Sequence, residues 1–148
     1  MQMQNRKATA NDVGLIIDIW EKSVIATHHF LSDEDRQEIK KEIPLYLPEV
    51  DVHLWYVAGA CIGFSGIHRG HLEMLFLDPS QIGLGYGRQI MQSLIREFHV
   101  RTVDVNKQNE NAVRFYLKSG FAVVSEDATD SAGRPYSILH LEYDENRT

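Results

Sequence analysis

The stretch Leu75-Phe-Leu-Asp-Pro-Ser-Gln-Ile-Gly-Leu-Gly-Tyr-Gly-Arg-Gln-Ile-Met-Gln-Ser-Leu-Ile95 decides the fold. It continues an apolar run from His71 that reads as a strand and stops at Asp78-Pro79, because proline cannot extend a ladder. Glycines follow at positions 83, 85 and 87. Ile90, Met91, Leu94 and Ile95 then recur at helical spacing. Arg101-Thr-Val-Asp-Val-Asn106 reads as the next strand. Strand, glycine loop, helix and strand together make one crossover, which should be right-handed with its two strands parallel.

Glycines in the loop let the backbone turn sharply and bring N–H groups close to a ligand. The helix start adds a positive dipole end and unpaired donors, and a diphosphate is the natural occupant. Arg88 falls in the first helical turn. A Walker loop is excluded, since no Gly-Lys-Ser or Gly-Lys-Thr string follows the glycines. A Rossmann fingerprint requires glycine where this chain has Arg88, although Asp104 lies at the distance of a ribose-binding acid. Coenzyme A is the third reading.

Working outward, a short strand is expected at Arg6–Ala8. Thr9-Ala-Asn-Asp12 has the spacing of a capping box. Val13, Ile16, Ile17, Trp20 and Val24 make an amphipathic helix after it. Ser32-Asp-Glu-Asp35 caps a second helix through Ile39 and Ile43, with Pro44 and Pro48 closing the region. From Val52 the period changes to that of a hairpin turning at Gly59-Ala60, and a third strand, His71–Asp78, is joined through Arg69-Gly70. Asn109–Ser119 is a helix ended by Gly120. Phe121–Val124 and Tyr136–Tyr143 are strands flanking a turn near Gly133. The order is β-α-α-β-β-β-α-β-α-β-β. The fold class is α/β, a mixed and mostly antiparallel sheet of about seven strands with one central parallel crossover.

The 148 residues fit one domain, 1–148, and 43% of them are hydrophobic, enough for a sizeable core. A net charge of −6 argues against a nucleic-acid binder and suits a cationic substrate. The polar start and the lack of a long apolar run predict a cytoplasmic protein with no membrane partner. One cysteine, Cys61, excludes an internal disulfide and reads as a small core residue. His68 and His71 alternate across a strand without further ligands, so no metal is expected.

The loop string from Leu75, followed by Val103-Asp-Val-Asn-Lys-Gln-Asn-Glu-Asn-Ala-Val-Arg-Phe-Tyr-Leu-Lys-Ser-Gly-Phe121, resembles the GNAT superfamily of N-acetyltransferases across essentially the whole chain. Ser23–Leu31 and Gly133–Leu141 look like a bacterial subgroup assigned to amine or protein-lysine acetylation. The resemblance implies acetyl-CoA as cosubstrate and an amine acceptor, a small molecule or a protein lysine or N-terminus, attacked directly in a ternary complex. The protein would be a monomer or a homodimer. The alternative is a non-catalytic acyl-CoA-binding module of the same fold.

The same resemblance assigns the cofactor-binding positions. Ile82, Gly83, Leu84, Gly85, Tyr86, Gly87 and Arg88 would hold the diphosphate, and the main chain of Leu75, Phe76 and Leu77 the pantetheine arm. Ile82 stands where the family often has arginine or glutamine, so only backbone binding is expected there. Asn109 matches a coenzyme-bonding asparagine and also suits a helix cap. Tyr116 matches the tyrosine near the coenzyme sulfur and would protonate the leaving thiolate; its other reading is a core aromatic. Glu73, then His71 or His28, would take the amine proton. Strict alternation puts Glu73 and His71 on the face of Leu75 and Leu77.

Overall fold

The chain reverses sharply at Ala58-Gly59 and Arg69-Gly70, where φ is positive at both residues of each pair (51° and 80°, 49° and 79°). That backbone matches the twist of flanking antiparallel strands. The turns join β2 (Asp51–Val57), β3 (Ala60–His68) and β4 (His71–Leu77) into a meander. The first turn falls one residue earlier than Gly59-Ala60 because Ala60 already pairs with Val57. The computed structural model describes residues 2–146; Met1, Arg147 and Thr148, the ends of the expected 1–148 domain, lie outside them.

β1 (Met3–Lys7) pairs with β2 and starts three residues before the expected Arg6. The remaining elements are α1 (Val13–Thr27), α2 (Asp33–Tyr46), α3 (Tyr86–Arg96), β5 (Thr102–Asn106), α4 (Glu110–Lys118), β6 (Phe121–Asp127) and β7 (Ile138–Tyr143). They form a seven-stranded sheet in the order β1-β2-β3-β4-β5-β7-β6, antiparallel except for β4 and β5. This is the expected α/β architecture with its single parallel crossover.

Local chemistry sets the helix starts. Thr9 N–H donates to Asp12 Oδ2 at 2.8 Å, and Arg6 grips both Asp12 oxygens at 2.9 and 2.8 Å. These donors hold the Asp12 carboxyl well below the usual range. Ser32 Oγ accepts from Asp35 N–H at the start of α2. Pro44 does not close α2, which runs to Tyr46 with Pro44 inside it. A proline so near the C-terminus removes one ladder bond where few remain, and Pro48 falls in the short 3-10 turn beyond.

Two cores lie on opposite faces of the sheet. Ile16, Ile19 and Trp20 of α1 and Ile43 of α2 pack on Leu54, Phe64 and Met74. Ile90, Met91 and Leu94 of α3 pack with Trp55, Leu72, Val103 and Phe121. Burying each such side chain contributes about 1.5–3 kcal/mol.

One irregularity positions the site. Gly66 pairs with Met74 and Ile67 with Leu72, so Glu73 is the extra residue of a β-bulge. The bulge breaks the alternation expected for β4. Leu72, Leu75 and Leu77 pack on the α3 side, whereas Met74 and Phe76 pack on the α1 side. Glu73 and His71 therefore do not share the face of Leu75 and Leu77. Glu73 instead lies near the Tyr46 phenol of α2, and its carboxylate, after burial, helps push that phenol's pKa up. The bulge also marks where β4 leaves β5, because only His71–Thr102 and Leu72–Val103 pair across them.

Candidate active site

Beyond the bulge the sheet opens between β4 and β5. Asp78 N–H donates to Ile62 O at 2.8 Å, so counting back by two turns the main chain of Phe76 and Met74 toward β3. The N–H and C=O groups of Leu75 and Leu77 then face the opening. Of the three residues expected to present their main chain to an arm, Leu75 and Leu77 turn theirs to the opening, whereas the main chain of Phe76 is turned to β3.

A groove of about 340 Å³ occupies the α3 end of this opening. Its walls include Leu75, Phe76, Leu77, Phe115 and Tyr116, and its floor is the loop Ile82, Gly83, Gly85, Gly87 and Arg88. Gly83 and Gly85 have φ of 84° and 85°, a conformation that any other residue adopts only under strain. Gly85 is the residue before α3, and a Cβ at Gly83 or Gly85 would meet nothing within 4 Å on the protein side. The loop thus presents bare backbone at a helix start, as a phosphate cradle requires. Ile82 and Leu84 are exposed, and Leu84 and Tyr86 lie outside the groove lining, Tyr86 packing against the α3-side core.

A second cleft of about 200 Å³ opens from the same split and is lined by Glu73, Asp104 and Asn106. His28, Leu75, Phe76, Asn109, Ala112 and Tyr116 line both cavities. Tyr116 is 8% exposed and packs edge-on against Phe115 and Phe121. Burial pushes its phenol pKa up, so it stays protonated and able to donate.

His28 is fixed by its neighbours. Thr27 Oγ1 spends its one proton on Ser23 O at 2.8 Å, so at 2.7 Å it accepts from His28 Nδ1–H. Nε2 then keeps its lone pair, 3.4 Å from Asn109 Nδ2. Burial, helped by His29, lowers the His28 pKa to about 4, and the ring is neutral at neutral pH. Asn109 caps α4, its Oδ1 accepting from Ala112 N–H at 3.3 Å. The cap reading of Asn109 holds, with its amide turned to His28.

His71 lines neither cavity. Its Nδ1 lies 2.6 Å from Thr102 Oγ1 and its Nε2 3.2 Å from Asp104 Oδ2. The sequence reading missed this pairing, considered Asp104 only as a Rossmann acid and omitted Tyr46, Ser23 and Thr27. The alternation Thr102, Val103, Asp104 does signal a polar face on β5, but the strand register that sets its partners has no signal in composition. Among the described residues no three His, Cys, Asp or Glu side chains gather as metal ligands, and no helix is long and apolar enough to cross a membrane.

An apolar groove ending in a bare backbone loop thus adjoins an acidic cleft, and Tyr116 is one of the six residues that line both. The model of the acetyltransferase (GNAT) domain family matches residues 9–136. The peptidyl-lysine N-acetyltransferase YjaB of Escherichia coli (strain K12) is 38% identical over 131 residues, 86% of this chain and 88% of that protein. The solution structure of apo-form YjaB from Escherichia coli aligns with a TM-score of 0.87 at 34% identity, over 97% of this chain and 98% of that one. A PaiA N-acetyltransferase from Thermoplasma acidophilum, in complex with coenzyme A, shares the fold (TM-score 0.64, 20% identity, 97% and 100% covered). The chain belongs to the GNAT acetyltransferase family. It is an enzyme that transfers acetyl groups to amines.

Proposed function

We propose that this enzyme acetylates the ε-amine of protein lysines from acetyl-CoA, in a ternary complex within a single domain. The observation that carries this reading is Tyr116, the buried phenol that lines both the apolar groove and the acidic cleft. The peptidyl-lysine assignment of the YjaB relatives supports the acceptor class, and the acidic lining of the second cleft suits a cation. The groove fits coenzyme A: bare amides at Gly83 and Gly85 suit its diphosphate, with Arg88 beside them, and the open main chain at Leu75 and Leu77 can pair with its amide-bearing arm as an added strand.

Acetyl-CoA supplies the acetyl group as a thioester. Glu73 takes a proton from the acceptor's ammonium, directly or through water, leaving a lone pair to form the new C–N bond. As the C–S bond breaks, the Tyr116 phenol donates its proton to the departing sulfur, and the second proton that the new amide nitrogen sheds restores the phenol through water. His28, neutral and bonded through both ring nitrogens, orients Asn109 and takes no proton. His71, with both nitrogens engaged by Thr102 and Asp104, positions rather than accepts. The enzyme works in the cytoplasm on this reading.

Free-thiol release from acetyl-CoA across a panel of lysine peptides and small amines tests it. Lysine peptides should turn over, and Tyr116→Phe should lower kcat roughly 100-fold with little change in acetyl-CoA affinity. An active wild type and an unaffected Tyr116→Phe enzyme would remove the acid role. A wild type that binds coenzyme A and acetylates only small amines would replace the protein acceptor.

A further inference from the structure

On the sheet face that carries Glu73, four side chains form a continuous row over β4, β5, β7 and β6. His71 Nε2 lies 3.2 Å from Asp104 Oδ2; His140 Nδ1 lies 2.6 Å from Asp104 Oδ1; His140 Nε2 lies 2.7 Å from Asp127 Oδ2. Carboxylates only accept hydrogen bonds, so both nitrogens of His140 must carry protons for this geometry to hold. His140 is therefore an imidazolium between two acids. Of the four residues, Asp104 alone lines the cleft that also contains Glu73 and Tyr116.

We propose that Asp104 is the specificity residue that seats the acceptor lysine's ammonium at the cleft mouth, and that His71 and His140 hold this seat until the ammonium displaces their protons. The proposal rests on the lysine reading above and adds a proton linkage to it. With both histidines charged, the row's two positive charges cancel its two carboxylates. With both neutral, two negative charges remain beside the cleft. A lysine ammonium that docks on Asp104 competes with the imidazolium protons for the same carboxylate, so binding and proton loss are coupled.

The other groups around Asp104 reinforce this direction. On β4, Glu73 stands beside the row; from the α2 side, the fields of the Glu73, Glu49 and Asp104 carboxylates all reach Tyr46. Glu142 shares the His140 face of β7 and pairs with Thr102. Asp127 closes the row on β6. No lysine or arginine lines the cleft itself. Its charge is therefore set by acids and by the two histidines, whose pKa values are raised first by their bonds to Asp104 and Asp127 respectively.

Calorimetry on the enzyme saturated with coenzyme A, which cannot turn over, tests the seat directly. The probes are the blocked peptide acetyl-Gly-Lys-Gly-amide and its acetyllysine form, each measured in two buffers of different ionisation enthalpy from pH 6 to 8.5. The lysine peptide should bind with net proton release and tighten roughly tenfold with rising pH, whereas the neutral form should do neither. Asp104→Asn should weaken lysine-peptide binding roughly tenfold and abolish the release, with Asp104→Glu restoring part of both. His140→Asn should tighten binding at pH 6 and reduce the release, and this readout remains if Asp104→Asn does not fold. Equal binding of the two peptides, absence of proton release, or an unchanged Asp104→Asn affinity would overturn the proposal. These outcomes concern binding alone, so they are separate from the turnover result that decides the lysine reading.

Discussion

At the scale of single residues, the hydrogen-bonding capacity of each group decides its role more firmly than its residue type. His28, His71 and His140 are all histidines near the sheet opening, and each is in a different state. His28 is buried and neutral, His71 is bonded at both nitrogens, and His140 is clamped between acids. The consequences for stability have opposite signs. Between pH 6.5 and about 4 the unfolded chain protonates His28 and the native protein does not, so acidification favours unfolding. The loss is on the order of 3 kcal/mol once the pH is below that window. For His71 and His140, whose pKa values are raised, the stabilising effect is present at low pH and fades as the pH rises through their native values. Urea midpoints from pH 7 to pH 4.5 should fall less steeply for His28→Gln than for the wild type. Identical slopes would remove His28 as the cause. None of these states was legible in the sequence, where a histidine carries no mark of its burial. The place of Tyr116 on α4 was legible from the helix string, whereas its packing against both Phe115 and Phe121 was not.

At the scale of elements, the strand–loop–helix from Leu75 to Ile95 was readable because each part has its own local chemistry. Proline ends the strand, glycines supply positive φ, and a helical period follows. Substituting Gly85 should therefore act locally. An alanine held at φ near 85° costs about 1–2 kcal/mol of strain, which the loop relieves by turning its amides away from the cradle. Gly85→Ala should lower the denaturant midpoint modestly and weaken coenzyme A binding, measured by calorimetry; unchanged binding would place the diphosphate elsewhere. The bulge at Glu73 was not readable. One inserted residue in a seven-residue strand leaves the apolar run intact, and only pairing with β3 reveals the shift. Pro44 misled for a related reason: near the end of α2 few ladder bonds remain for it to break.

At the scale of the whole molecule, the order of elements followed from changes in hydrophobic period, and the parallel crossover followed from topology. The joining of the two cavities did not, since it depends on how far β4 and β5 diverge after two paired positions. The loop before β7 is held against α2 by polar contacts that have no signal in the sequence pattern. Arg134 reaches Glu42 at 2.8 Å and Asp130 at 3.3 Å, while the Tyr136 hydroxyl donates to Asp35, tying that loop to α2. The parted strands have one more consequence, visible to amide hydrogen exchange. Interior amides of a buried sheet normally exchange slowly, but those of Leu75 and Leu77 face an opening. Without coenzyme A they should exchange orders of magnitude faster than the Phe76 amide between them. Coenzyme A should slow these two and leave Phe76 unchanged, so the middle of the sheet becomes its own occupancy gauge, and a uniform response of all three amides would show that no strand-like pairing forms there.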